Sequence, residues 1–169
     1  GTVWVGSSYP DTYEGLCRYD GEGFTAITPS TGLAHGSVLA LCEDGDNGLW
    51  IGTSSGLTHW DGTHHSTFTC EDGLPHAIVT ALARTRDGRL WIGTEGGGVC
   101  YYDGQVFQVI QLPCDPACNV ITAILEDRRD DALRGRCSLP KVPCQRVDRV
   151  LQLQCLGYSI LGAANRDRC

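Results

Sequence analysis

Three histidines, His59, His64 and His65, lie close together around the triplet Trp60-Asp61-Gly62. Imidazole nitrogens are common ligands of Zn²⁺, so these residues have the chemistry of a metal site. An aromatic-Asp-Gly triplet is typical of a turn, and we expect this turn to lie on the solvent rim. We therefore interpret the three histidines as exposed and incidental.

Cys114 and Cys118 flank a short proline-containing segment and could chelate Zn²⁺ or form a strained disulfide. No matching second pair stands where it would complete four ligands. The ten cysteines of the chain show no paired spacing, and they stand at positions 17, 42, 70, 100, 114, 118, 137, 144, 155 and 169. We predict that most are packed or free thiols and that the chain holds no metal.

Asp44, Asp46 and Gly48 superficially resemble a Ca²⁺-binding loop, but the fifth-position oxygen ligand is missing and Ser55 stands where the loop needs Glu. The sequence has no nucleophile-elbow, zinc-protease or phosphate-loop motif. We therefore predict no catalytic residue and no cofactor.

The elements that position these residues recur when the chain is laid against itself at an offset near 42. The first element is Trp4-Val5-Gly6, Trp50-Ile51-Gly52-Thr53 and Trp91-Ile92-Gly93-Thr94. The second is Tyr19-Asp20-Gly21, Trp60-Asp61-Gly62 and Tyr102-Asp103-Gly104, and the third is Phe24, Phe68 and Phe107. The fourth is Val38-Leu39-Ala40-Leu41, Val79-Thr80-Ala81-Leu82 and Ile121-Thr122-Ala123-Ile124.

The spacing of these elements is regular. The aromatic of the second element precedes the next fourth element by 19 residues in all three cases, and the tryptophan follows 12 residues later in both complete copies. Each copy reads as four short strands, with Asp46-Asn47 and Asp87-Gly88 as the turns between the first two. No segment shows sustained helical periodicity. The pattern predicts an all-β chain, a partial β-propeller of about three four-stranded blades.

Two sets of repeated residues are predicted to be structural. A tryptophan at the same place in each copy would fill the wedge between adjacent blades, which applies to Trp4, Trp50 and Trp91. An aspartate that follows an aromatic and precedes glycine forms turns, which applies to Asp20, Asp61 and Asp103.

One run of residues carries a specific family likeness. It comprises Asp72-Gly73-Leu74-Pro75, Val79-Thr80-Ala81-Leu82, Asp87-Gly88-Arg89-Leu90-Trp91-Ile92-Gly93-Thr94, Gly96-Gly97-Gly98 and Tyr102-Asp103-Gly104. This run resembles the consensus of the two-component-regulator propeller repeat. The resemblance implies an extracytoplasmic sensor propeller of a large bacterial protein, in which other segments carry the membrane helix and the histidine kinase or another output domain. Many members are thought to sense carbohydrates.

The repeated sequence pattern ends at position 133, where the spacing predicts a tryptophan but the residue is leucine. We divide residues 1–132 into a blade remnant (1–31), two blades (32–73 and 74–115) and the start of another (116–132). Residues 133–169 are predicted to be an irregular, disordered tail with a net charge of +5, whereas residues 1–132 carry −12. One hypothesis for the tail is a shifted reading frame or a truncated gene. The alternative is a genuine basic extension with a short helix near 147–156.

Candidate binding residues lie in two places. The first copy has four or five extra residues between its tryptophan and its aromatic-Asp-Gly triplet, and insertions in repeat arrays often mark the binding face. This insertion supplies Tyr9, Asp11, Tyr13 and Glu14, which suit contact with a sugar or a peptide. His35 and His76 occupy equivalent loops at the mouth of the propeller channel. For all six residues, a role in the loop or the repeat alone is the competing interpretation.

The sequence favours a non-catalytic sensor that binds a carbohydrate or another small ligand. A scaffold for protein partners or self-association is one alternative, and a fragment of a propeller lyase or glycosidase is another. The net charge of −7 argues against a nucleic-acid partner, and no run of 18 apolar residues occurs that could span a membrane. The family resemblance implies a periplasmic or other extracytoplasmic location.

Overall fold

A computed structural model of the chain describes residues 1–8, 15–45, 48–111, 119–126, 151–155 and 158–161. These residues form four antiparallel sheets and no α-helix, so the part of the chain that is described is all-β, as predicted. The first sheet has three strands, β1 (Val3–Gly6), β2 (Leu16–Tyr19) and β3 (Phe24–Ile27). The last also has three, β12 (Ile121–Glu126), β13 (Leu151–Cys155) and β14 (Tyr158–Leu161).

The two middle sheets have four strands each. The second sheet consists of β4 (Val38–Asp44), β5 (Gly48–Thr53), β6 (Gly56–Trp60) and β7 (His65–Phe68). The third consists of β8 (Val79–Arg84), β9 (Leu90–Thr94), β10 (Val99–Tyr102) and β11 (Phe107–Ile110). Strands pair in chain order within every sheet. Each sheet is therefore a simple meander, which is how a propeller blade is built.

The first strand of the last three sheets carries the same irregularity. The register of pairing shifts between Val38 and Ala40, between Val79 and Ala81, and between Ile121 and Ala123. An extra residue at such a point bends the strand and increases its twist. The repeated Val-x-Ala pattern therefore encodes a bend as well as a strand.

Close approach between sheets depends on the glycine of the tryptophan element. A Cβ atom built on Gly6 would lie 2.6 Å from Val38 Cγ1, and one on Gly52 would lie 2.7 Å from Val79 Cγ1. At Gly93 the distance to Ile121 Cγ2 would be 2.5 Å. The space that a side chain would occupy is thus filled by the first β-branched residue of the next sheet.

Three apolar clusters lie between consecutive sheets. The first sheet meets the second through Leu16, Val38 and Ile51, all buried. Leu57 and Ile92 belong to the cluster between the second and third sheets. The third cluster joins the third sheet to Ile121 and Ile124. We call the face of a sheet that points toward the preceding sheet its leading face, and the opposite one its trailing face.

The structure corrects the alignment of the third repeated element. Phe24 and Phe107 each begin the last strand of their sheet, paired with Tyr19 and Tyr102. In the second sheet that position belongs to His65, paired with Trp60, whereas Phe68 ends the strand and pairs with Leu57. In every copy, the aromatic residue before Asp-Gly pairs with the residue five positions later in the chain. The prediction for Phe68 was wrong because Phe68 lies eight positions after Trp60.

The predicted irregular tail contains regular structure. Residues 151–155 and 158–161 are strands, and β13 pairs with β12 from Ile121↔Cys155 to Glu126↔Leu151. The alternative, a short helix near 147–156, is wrong for residues 151–155. These residues form β13 instead, because an extended segment can satisfy the free backbone hydrogen-bonding groups along one edge of β12. The rest of 133–169 lies outside the described residues.

Candidate functional site

A polar network joins the second and third sheets. Asp44, at the end of β4, receives His59 Nε2 on its Oδ2 atom at 2.6 Å and pairs through Oδ1 with the guanidinium of Arg84. Arg84 ends β8, so the ion pair crosses from one sheet to the next. All three side chains are partly exposed, which limits the strength of the ion pair but leaves them accessible to a ligand.

His59 is held against an aromatic wall. Its ring stacks on the indole of Trp50, with centroids 4.0 Å apart and planes inclined by 22°. The two residues are direct cross-strand neighbours on β5 and β6, which explains why the rings meet. Trp50 also contacts Tyr102 edge-on at 5.7 Å, and Phe68 lies 5.6 Å from Tyr102.

These side chains line a cleft of about 530 Å³ between the two sheets, together with Ser66, Gly88, Leu90, Asp103 and Gly104. Asp103 lies at its rim, where the backbone N–H groups of Val106 and Gln105 hold the pKa of its carboxyl below the ordinary value. The cleft thus combines aromatic surface with a carboxylate, a guanidinium and an imidazole. This composition suits a ligand with a flat apolar face and a hydrogen-bonding edge.

Two cysteines belong to the apolar cluster next to this region, Cys42 and Cys100. Burial raises the pKa of the Cys42 thiol, and burial raises that of Cys100 to about 12. A thiol with a raised pKa stays protonated at neutral pH. Cys17, Cys42, Cys70 and Cys100 are free, and the other cysteines lie outside the part of the chain whose side chains are described.

The network of Asp44, His59 and Arg84 was not predicted from the sequence, although Asp44 and His59 were candidate metal ligands. From the sequence, Asp44 was considered only as a Ca²⁺ ligand and His59 only as a metal ligand. In the structure a hydrogen bond joins the two side chains from β4 to β6. The available signal was the hairpin register, because the residue before each aromatic-Asp-Gly triplet pairs with the tryptophan of its copy.

The repeated tryptophans lie between sheets. Trp4 contacts Trp60 of the second sheet, with ring centroids 4.9 Å apart. Trp50 belongs to the cluster between the second and third sheets, and Trp91 to the cluster shared with Ile121 and Ile124. Each tryptophan therefore lies on the trailing face of its own sheet.

The repeated aspartates share one turn geometry. The Oδ1 atom of Asp20 accepts the N–H groups of Glu22 and Gly23, and that of Asp61 accepts those of Thr63 and His64. Gly21, Gly62 and Gly104 follow the aspartates with φ of 105°, 103° and 100°. Such values favour glycine, which explains the repeated Asp-Gly pair.

His35 lies in the connection between β3 and β4, just before β4 begins, whereas Asp44 is the last residue of β4. The two residues are therefore at opposite ends of the second sheet. The Nδ1 atom of His35 accepts the N–H of Ser37 at 2.9 Å, so the Ser54 hydroxyl, 2.8 Å away, donates to the same nitrogen. His76 accepts the N–H of Ile78 in the equivalent way at 3.2 Å. The two histidines thus share one loop conformation, and only His35 has a serine hydroxyl partner among the described residues.

The predicted binding loop lies outside the described residues: Tyr9, Asp11, Tyr13 and Glu14 belong to the segment 9–14. Its two ends are described. Ser7 donates its N–H to Gly15 O at 2.8 Å, and the Ser37 hydroxyl donates to Ser8 O at 3.2 Å. The loop therefore leaves the first sheet beside the segment that carries His35.

The three neighbouring histidines do not converge. His64 contacts Asp61 within the turn, and His65 pairs with Trp60, whose ring faces the first sheet, whereas His59 faces the third. Among the described residues no group of three or more His, Cys, Asp or Glu side chains could hold a metal ion. Cys114, Cys118 and Asp46 lie outside those residues.

Comparison with known proteins identifies the repeat. The family model described as two component regulator propeller matches residues 32–55 and 73–96, which contain β4–β5 and β8–β9. A search of the curated proteins found no significant match. These two segments are therefore repeats of the two component regulator propeller type.

Two solved structures that share this fold are extracellular domains from B. thetaiotaomicron. One is the extracellular domain of BT3049, described as a hybrid two component system, from B. thetaiotaomicron. It is 25% identical with a TM-score of 0.61 over 76% of this chain. A second, the extracellular domain of BT4673 from the same organism, is 24% identical with a TM-score of 0.57 over 75% of this chain. The propeller fold predicted from the repeat is thereby confirmed.

The chain spans 18% and 17% of the length of these two structures. Among the residues that the structure describes, no helix is long and apolar enough to cross a membrane.

Proposed function

We propose that this chain forms part of the ligand-binding input region of a bacterial two-component signal-transduction protein, located outside the cytoplasm. The observation that carries the proposal is the pair of regulator-propeller repeats. The similarity to an extracellular domain of a two-component system supports the location. Signal output would belong to a longer protein, because a propeller has no chemistry of its own for phosphoryl transfer.

The first candidate ligand site is the loop end of the first and second sheets. His35 is held there by a backbone hydrogen bond, and the loop that contains Tyr9, Asp11, Tyr13 and Glu14 starts and ends beside the segment of His35. His76 occupies the equivalent position in the next connection, before β8. Tyrosine rings and carboxylates would bind a carbohydrate or another small polar ligand by stacking and hydrogen bonding. Self-association and protein partners are further uses of the same fold.

An enzymatic function is the second candidate, and the Asp44–His59 pair favours it. An imidazole oriented by a carboxylate is the arrangement of a general base, and here it lies in an aromatic cleft next to Asp103. A propeller lyase or glycosidase would use these groups. Release of reducing sugar ends or of unsaturated products from polysaccharides would detect such activity, and loss of it in His59→Ala would assign it to the cleft.

Ligand binding is tested by thermal unfolding of the full chain with a panel of neutral and acidic oligosaccharides. A ligand that binds the folded state raises the unfolding midpoint in proportion to the logarithm of its concentration. We expect His35→Ala and Tyr13→Ala to abolish the shift, while His64→Ala, in an exposed turn, preserves it. A shift lost in His59→Ala but kept in His35→Ala would move the site to the cleft. The absence of a shift with every oligosaccharide would contradict carbohydrate binding.

A further inference from the structure

A serine in the aromatic cleft stands beside the Asp44–His59 pair. Ser66 on β7 is the direct cross-strand neighbour of His59 on β6, just as His59 is the neighbour of Trp50 on β5. Directly opposite residues of an antiparallel sheet point to the same face, so these three side chains lie on the trailing face of the second sheet. Ser66 is exposed and lines the cleft, and its hydroxyl has no hydrogen-bond partner among the described residues.

Gly48 leaves room for the Asp44 carboxylate to reach the imidazole ring. A Cβ atom on Gly48 would lie 3.1 Å from Asp44 Cβ and 3.4 Å from Asp44 Oδ2, so a side chain there would crowd the carboxylate. Asp44 Oδ2 accepts the Nε2 proton of His59 at 2.6 Å. A neutral imidazole carries one proton, so this hydrogen bond leaves Nδ1 with a free lone pair.

Nδ1 is the ring nitrogen nearer to the backbone, and Ser66 is the side chain next to it on the neighbouring strand. No hydrogen bond joins Ser66 to His59 in the structure. The Cβ atoms of opposite residues are about 4.5–5.5 Å apart, so rotation about the Cα–Cβ bond of Ser66 can bring its Oγ atom within reach of Nδ1. In sites without a bound substrate such hydrogen bonds are often long and shorten when the substrate binds.

This set of residues occurs in one copy of the repeat. Behind the tryptophan, the first sheet has Arg18 and Thr25 at the positions of His59 and Ser66. The third sheet has Tyr101 and Gln108 there. The repeat itself therefore does not require an acid, a histidine and a serine at these places, which favours a functional role for them.

The contact between Ser54 and His35 has different chemistry. Nδ1 of His35 accepts both the N–H of Ser37 and the hydroxyl of Ser54, so its lone pair is already shared. Among the described residues no carboxylate contacts His35. The Ser66–His59–Asp44 set is thus the better candidate for an activated serine.

We propose that Ser66, His59 and Asp44 form a nucleophilic site that hydrolyses small carboxylic esters. A nucleophile beside a base that a third group orients is the pattern of such sites on unrelated folds. Ser66 and His59 are the catalytic residues, and Asp44 is a positioning residue. This activity is independent of ligand sensing and of polysaccharide cleavage, because the bond that breaks is an ester bond.

The reaction needs only these side chains, the ester and water. Ser66 Oγ bonds to the acyl carbon while its proton passes to His59 Nδ1, and the alcohol leaves with this proton as the ester C–O bond breaks. Water then attacks the acyl carbon and gives a proton to Nδ1, and the carboxylic acid is released as that proton returns to Ser66. Two donors in the same cleft face the charge that develops on the carbonyl oxygen, the Tyr102 hydroxyl and the N–H groups of Arg84 that Asp44 does not use.

Covalent labelling of the full chain with a fluorophosphonate tests the nucleophile. This reagent bonds to an activated serine and stays attached, so mass spectrometry of the peptides identifies the residue. We expect label on Ser66 in the wild type and none on it in His59→Ala. A wild-type chain that is not labelled at Ser66 would overturn the proposal.

Hydrolysis of 4-nitrophenyl acetate measures turnover. Ser66→Ala and His59→Ala should each lower kcat at least about a hundredfold. Asp44→Asn should lower kcat and leave KM unchanged, because the carboxylate orients the base without touching the ester. Thr67→Ala is the matched control, since Thr67 is the next residue of β7, is also exposed and points to the opposite face. It should hydrolyse the ester at the wild-type rate.

Circular dichroism of each variant should match the wild type, which separates loss of activity from loss of folding. Ser66 is exposed, so Ser66→Ala removes the hydroxyl without disturbing a packed position. Hydrolysis that persists in Ser66→Ala but is lost in His59→Ala would overturn the proposal, because the imidazole would then attack the ester itself. Hydrolysis that persists in both variants would overturn it as well, and so would an equal loss in Thr67→Ala.

Discussion

At the scale of single residues, the aspartate turns offer a stability contribution that depends on pH. The N–H of His64, then the N–H and hydroxyl of Thr63, hold the pKa of Asp61 well below its ordinary value. A carboxyl whose pKa is lower in the folded state stabilises the fold above the unfolded pKa of about 4 and loses this contribution as the pH falls through the folded value. The same direction applies to Asp20 and Asp103.

We therefore predict that Asp61→Asn lowers the unfolding temperature at neutral pH and that its difference from the wild type shrinks below about pH 4. Thermal unfolding followed by circular dichroism between neutral and acidic pH measures this difference. Glu22→Gln removes another exposed carboxylate and is the control, for which a much smaller effect is expected. A difference for Asp61→Asn that does not change with pH would contradict the explanation.

At the scale of elements, the packing of consecutive sheets depends on glycines, which leave space for a neighbouring side chain, as much as on apolar residues. Gly93 leaves room for Ile121, whose Cβ atom would lie 2.8 Å from an added methyl group. We predict that Gly93→Ala destabilises the chain by roughly 1–3 kcal/mol, because the fourth sheet must shift away from the third. Urea unfolding measures the change.

Gly23→Ala is the matched control for Gly93→Ala, because nothing lies within 4 Å of the added methyl group in the β2–β3 hairpin. It should change stability by less than about 0.5 kcal/mol. Equal effects of the two substitutions would show that the fourth sheet does not pack as described.

The Asp44–Arg84 pair is a polar link between the second and third sheets. A double-mutant cycle with Asp44→Ala and Arg84→Ala should give a coupling of roughly 0.2–1 kcal/mol, since both side chains are partly exposed. The pair Asp87–Arg89, 3.5 Å apart within one turn, is the comparison and should couple more weakly. No measurable coupling for Asp44 and Arg84 would mean that the two sheets are joined by apolar packing alone.

The sequence predicted the strands and their turns because these are local. Val-x-Ala-Leu, Trp-x-Gly and aromatic-Asp-Gly recur at fixed distances, and each specifies a strand or a turn within a few residues. The Asp44–Arg84 contact was not predictable in this way, because it joins residues 40 positions apart and occurs in one copy. β13 and β14 were missed because they lie far along the chain from β12 and carry none of the repeated sequence elements, although β13 pairs with β12 in the register of the other sheets.

At the scale of the whole molecule, the four sheets form a quasi-linear array in which each sheet contacts its neighbours through one cluster. Stability in such an array rises with the number of filled interfaces, and terminal units are the least stable. The second and third sheets each have a packed sheet on both sides. Among the described residues, the first sheet is packed on one face only, against the second sheet.

Amide hydrogen exchange resolved by strand tests the blade architecture most directly. We predict the slowest exchange in β5, β6, β9 and β10, which are paired on both edges within doubly packed sheets, and faster exchange in the edge strands β1, β3, β7 and β11. Exchange that is equally fast in all fourteen described strands would contradict this architecture, and so would protection that is strongest in the first sheet.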